Sequence, residues 1–198
     1  YGAETFHALK KILHHRGLVT SVGDEGGFAP NLKTNSEAMD VIVEAIKSAG
    51  FKPGRDIAIA LDPAASEFFD NGDYVMKKSD GSRKTPAEMI RLWSEWVKKY
   101  PVVSLEDGMG EEDREGWKSI TQALGRKLQL VGDDNFVTNP KIFAEGIRDG
   151  IADLRAKFAT MQEAFILVIN PPPVRGVGTG GPGRTDEGAQ REAGGKVG

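Results

Sequence analysis

At 198 residues, with 39% hydrophobic and 28% charged residues, the chain has the composition of a soluble globular protein. Its length suits one domain or part of a larger barrel. A net charge of −3 gives no reason to expect nucleic acid as the main partner, and no apolar run approaches the roughly 18 residues of a membrane span.

The first helix is expected over residues 4–16, where Phe6, Leu9, Ile12 and Leu13 fall near helical spacing and Gly17 ends the pattern. This stretch lacks the apolar centre of a signal peptide. A strand is expected at about 18–23, leading into Asp24-Glu25-Gly26-Gly27. Residues 36–49 repeat the helical signal, with Met39, Ile42, Val43 and Ile46 on one face and Gly50 as the stop. A strand at 57–61 is closed by Asp62. Asn71-Gly72 is a two-residue hairpin signal, so a small β-ribbon is expected near 67–77. Thr85-Pro86-Ala87-Glu88 is a capping box with proline in the first helical position. The helix behind it carries Met89, Leu92, Trp93 and Trp96 inward. A strand at 101–105, a helix near 112–124 and a strand at 128–132 follow, and Asn139-Pro140 opens a helix to about Arg148.

The character changes after about Asp153. LRAKFATMQEAF carries only a weak pattern, and AFILVIN has the composition of one buried strand. Residues 171–198 are dense in glycine and proline. Such a segment buries too little surface to offset its ordering entropy, so disorder is expected there. The organisation is therefore 1–152 as the folded part, 153–170 as a divergent segment and 171–198 as a low-complexity tail.

Strands alternating with helices over connections this long predict βαβ units and a parallel α/β sheet or barrel. Consecutive parallel strands share one C-terminal rim. Glu25, Asp62, Glu106 and Asp133 each follow a short apolar run, so all four are expected on that rim. Four carboxylates repel one another unless a cation sits among them, which makes a divalent metal site the first functional reading. The chain has no cysteine, so such a site would use oxygen or histidine ligands. The plainer reading of any single one is a helix cap or a solvated loop charge. Gly26-Gly27 reads as a tight turn, and Asp134 reads as a cap because neighbouring side chains diverge. His7, His14 and His15 lie on or after the first helix, away from the rim, while Trp93, Trp96 and Trp117 read as core.

Four blocks, VGDEGGFAPNL, LDPAASEFF, PVVSLEDGM and LVGDDNFVTNPKI, resemble successive blocks of the enolase (phosphopyruvate hydratase) family in order and spacing, over roughly residues 1–152. The resemblance implies a partial enolase-type TIM barrel. It implies dehydration of 2-phosphoglycerate to phosphoenolpyruvate in glycolysis, and the reverse step in gluconeogenesis. It also implies two Mg²⁺ ions per site, a homodimer, and a cytoplasmic protein that in some organisms also appears at the cell surface. By motif, Glu25 matches the glutamate that protonates the departing hydroxyl, and Asp62, Glu106 and Asp133 match the ligands of the first Mg²⁺. Glu25, Glu106 and Asp133 also match positions beside the substrate.

The match has gaps. Nothing resembles the family's N-terminal domain or its second catalytic glutamate, so the chain is expected to be truncated at both ends. The strand that carries the family's base lysine is not recognisable either. Lys157 lies near that position, but one residue early and with different flanks. The expectation is a lyase by ancestry with little turnover as an isolated chain. The competing expectation is a catalytically inactive metal-binding or surface-interaction protein.

Overall fold

The computed structural model describes residues 1–23, 26–77, 79–137 and 139–151, and the backbone of 164–168. The chain order is α1 (Gly2–His15), α2 (Asn35–Ser48), β1 (Ala58–Asp62), a 3₁₀ turn (Ala65–Phe68), β2 (Phe69–Asp70), β3 (Asp73–Val75), β4 (Arg83–Lys84), α3 (Pro86–Lys99), β5 (Val102–Glu106), α4 (Arg114–Leu124), β6 (Gln129–Val131), α5 (Pro140–Arg148) and β7 (Ala164–Val168).

Helix boundaries follow the capping chemistry. Thr85 accepts the Glu88 N–H at 3.3 Å while Glu88 accepts the Thr85 N–H at 2.9 Å, the reciprocal box expected from the sequence. Asp113 starts α4 by accepting the Gly116 N–H at 2.9 Å, and Asn139 starts α5 by accepting the Lys141 N–H at 3.0 Å. Gly17 and Gly50, with φ of 69° and 88°, supply the left-handed residues after α1 and α2.

Four strands form one parallel sheet in the order β6-β5-β1-β7, a partial α/β barrel. Ile59, Leu61, Leu105 and Leu130 face the helices and join one buried cluster with Met39 of α2, Met89, Trp93 and Trp96 of α3, and Trp117, Ile120 and Leu124 of α4. The opposite face is half-buried and polar at its C-terminal end. Ala60 pairs with Ser104 and Leu61 with Leu105, whereas Ile59 pairs with Val102, so Val103 is the extra residue of a bulge. The expected ribbon is present and gains a third strand, with order β2-β3-β4.

Residues 18–23 depart from expectation. They form no strand of the sheet; Val22 makes only an isolated bridge to Phe28, whose ring stacks on Phe6 of α1 at 4.5 Å. The reason is competition for an edge. A strand has two edges, and those of β1 are filled by β5 and by β7, which pairs from Ala58↔Ala164 to Asp62↔Val168. Val19 and Val22 are left 54% and 53% exposed. The AFILVIN segment thus supplies a strand at 164–168, while Lys157 and the 171–198 tail lie outside the described residues.

The loop after β5 is buried from Asp107 to Gly110 and must find partners for its backbone. Trp93 Nε1 donates to the Gly108 carbonyl at 2.8 Å and Trp117 Nε1 to the Gly110 carbonyl at 3.1 Å. Tyr74, fully buried on β3, accepts the Gly110 N–H at 3.0 Å and donates to Asp113 Oδ2 at 2.7 Å. Burial and the Asp113 carboxylate together push the Tyr74 hydroxyl well above its usual pKa, so it stays a donor. Tyr74→Phe should cost about 2 kcal/mol, because it leaves the Gly110 N–H unpaired and removes a bond to a charged acceptor. The urea midpoint measures this, and an unchanged midpoint would show that the loop does not depend on the hydroxyl.

Candidate functional site

The rim is built by strand alternation. Asp62 and Glu106 are the last residues of β1 and β5. The Leu61↔Leu105 pairing one step earlier sets them side by side, on the face opposite the helices. Glu106 also pairs with Val131, the last residue of β6, and Gly132 then leads the chain into Asp133. Two non-glycine residues adopt the left-handed region just past these strand ends: Ala64 at φ 48° and Asp107 at φ 42°. Such conformations persist where surrounding bonds hold them. Here Asp62 Oδ1 accepts the Ala64 N–H at 3.0 Å, and Asp107 is held by four hydrogen bonds.

Asp107 is the residue that sequence reasoning missed. It is only 3% exposed. Its two carboxylate oxygens accept the Asp133 and Asp134 N–H groups at 3.1 Å each. Its own N–H donates to the Val131 carbonyl at 2.9 Å, and its carbonyl accepts the Ala65 N–H at 2.9 Å. One residue therefore ties together the turns after β1, β5 and β6. Burial raises its carboxyl to about 6; the Asp134 N–H opposes this, and the Asp134 and Asp62 charges add to it. Asp62 is also raised, first by burial and then by Asp134 and Asp133, against the Ala64 N–H. The adjacent carboxylates Asp133 and Asp134 thus both bear on Asp62 electrostatically, as lesser causes beside its burial.

Glu25 and its neighbour Asp24 lie outside the described residues, as does Lys157. The histidines remain on α1, with His15 Nδ1 bonded to the Lys11 carbonyl at 2.8 Å. Beside the rim, a cleft of about 320 Å³ is lined by Asp134, Asn135, Phe136, Ile142, Ile151 and Arg114. The Arg114 guanidinium is engaged by Asp149 at 2.8 Å and Glu145 at 3.4 Å, so its charge is balanced locally.

A family profile described as "Enolase, C-terminal TIM barrel domain" matches residues 1–161. The chain belongs to the enolase family. The match accounts for the parallel strands and covers Asp62, Glu106, Asp107 and Asp133, whereas the enolase-matched region ends before β7. Enolase-family membership places the chain in a lyase family. No helix among the described residues is long and apolar enough to cross a membrane.

The metal that enolases use can be tested against this rim. The donors are carboxylate oxygens, the ligand type that Mg²⁺ selects; burial raises Asp62 and Asp107 most, and the smaller part that neighbouring carboxylates add is what a cation would relieve. In that chemical sense the residues fit. Among the described residues, no group of three such side chains is arranged to hold an ion.

Proposed function

We propose that this enolase-family chain derives from a Mg²⁺-dependent phosphopyruvate hydratase, with 2-phosphoglycerate and phosphoenolpyruvate as its substrate pair. The observation that supports the reading is that the strand ends carrying Asp62 and Glu106 and the Asp133-Asp134 turn are neighbours at one end of a parallel sheet. Asp62, Glu106 and Asp133 would hold the ion, and Glu25 would serve as the proton donor to the departing hydroxyl. When bound, Mg²⁺ stabilises the negative charge that develops on the substrate carboxylate as its neighbouring carbon loses a proton. The part of the protein is to hold the carboxylates in a fixed, partly buried array before the ion arrives.

Lys157 is retained as the candidate base on its position in the sequence alone. A second copy of the chain as partner and a cytoplasmic location follow from the same family reading.

The test separates ion binding from turnover. Mg²⁺ at a hundredfold excess over its dissociation constant should stabilise the 198-residue chain by about 2.7 kcal/mol, read as a rise in thermal midpoint. Asp62→Ala, Glu106→Ala and Asp133→Ala should each abolish most of that rise. Formation of phosphoenolpyruvate, followed by its ultraviolet absorbance, should be slight for the chain alone. Stabilisation by Mg²⁺ without turnover favours the second reading, an ion-binding interaction protein. Stabilisation that survives all three substitutions would sink the ligand assignment.

A further inference from the structure

We propose that Asp107 is a positioning residue for the ion site: it fixes the Asp133-Asp134 turn against the ends of β1 and β5, and so sets where the Asp133 carboxylate stands. The inference rests on the Mg²⁺ reading above and names a residue outside the proposed ligand set.

Four observations carry it. Asp107 is nearly fully buried at 3% exposure, in a turn at the C-terminal end of an interior strand where a carboxylate would ordinarily be solvated. Both of its oxygens are used, and both on the backbone of a single turn, the N–H groups of Asp133 and Asp134. Its main chain bonds the end of β6 through Val131 and the turn after β1 through Ala65. Its φ of 42° takes it out of the alternation of β5, so its side chain does not continue the outward row but turns toward the β6 turn. A left-handed aspartate costs free energy that a glycine would not, and charge-assisted bonds to two N–H groups offset that cost.

The chemistry requires a carboxylate. An asparagine has the same shape but one acceptor oxygen; its NH₂ group would face one of the two N–H donors. Asp107→Asn therefore keeps the volume and breaks half of the clamp. Residues that hold a ligand in place this way typically change metal affinity by about 10–100-fold when replaced.

The experiment uses the full 198-residue chain and two readouts. The first is amide hydrogen exchange at Asp133 and Asp134, which needs no metal. The second is affinity for Mn²⁺, a hard, oxygen-seeking stand-in for Mg²⁺ that electron paramagnetic resonance detects directly. Tyr74→Phe serves as the comparison, since it loosens a buried hydrogen bond of the same neighbourhood without touching the Asp133-Asp134 turn.

Asp107→Asn, shown folded by circular dichroism, is expected to exchange at least one of the two amides about tenfold faster or more, and to bind Mn²⁺ about 10–100-fold more weakly. Tyr74→Phe should change neither. Unchanged exchange at both amides, or Mn²⁺ affinity within twofold of wild type, overturns the positioning role. An equal loss of affinity in Tyr74→Phe also overturns it, by showing that general loosening suffices. A wild-type chain that binds no Mn²⁺ overturns the ion reading itself, and the exchange readout tells that result apart from a failure of the clamp.

Discussion

Trp117→Ala is expected to lower the unfolding free energy by about 3–5 kcal/mol. Trp117 is 1% exposed and sits on the α4 face that packs into the cluster shared by α2, α3 and the sheet. Truncation removes the indole and leaves a void between elements that are each fixed by other contacts, so little collapse can fill it. It also removes the donor to the Gly110 carbonyl in a loop with no solvent to replace it. Against a typical total of about 5–15 kcal/mol, this loss is a large fraction of what holds the fold. Trp117→Phe keeps most of the ring and loses the N–H, so it should cost markedly less than the alanine variant. Urea denaturation measures both. An alanine variant within about 1 kcal/mol of wild type would show that α4 is not anchored through this ring.

In the absence of divalent metal, wild-type stability should fall relative to Asp107→Asn as pH rises between 3.8 and about 6. The folded pKa of Asp107 lies above its unfolded value, so the folded state binds more protons across that window. Stability therefore decreases with rising pH there and levels off above it. At about 1.4 kcal/mol per pKa unit, the full change is about 3 kcal/mol. The asparagine variant cannot titrate at this position, and the other carboxylates largely cancel in the comparison. Parallel stability profiles for the two proteins from pH 4 to about pH 7 would refute a raised Asp107. Saturating Mg²⁺ should flatten the wild-type slope, because a bound cation restores the charged form.

Much of the sheet and half of the rim were legible from the amino acids. IAIALD alternates throughout and PVVSLED does so after the bulge at Val103, so the phase that buries Leu61 and Leu105 also sets Asp62 and Glu106 on the other face. The capping box at Thr85 and the proline at the start of α5 were legible because their chemistry is local. Asp107 was not. Next to a ligand candidate it looks like one more loop charge, and its role depends on N–H groups 26 and 27 residues away. The LVTSVG segment failed for another reason. Its composition suits a strand, but pairing depends on a vacant edge, and no local pattern reports that a distant segment will take it. The converse case is AFILVIN, whose apolar run was legible while its neighbour was not.

The seating of β7 against β1 bears on how the molecule is made. Ala58 pairs with Ala164, so one flank of a strand synthesised early is sealed by a segment synthesised late. Until that segment emerges from the ribosome, the main-chain groups along that flank have no strand partner in the finished arrangement. An open edge of this kind is a template for pairing with another chain, so association is expected to be favoured at this stage. Contacts this far apart in sequence tend to slow folding, so the β1–β7 pairing is expected to form late.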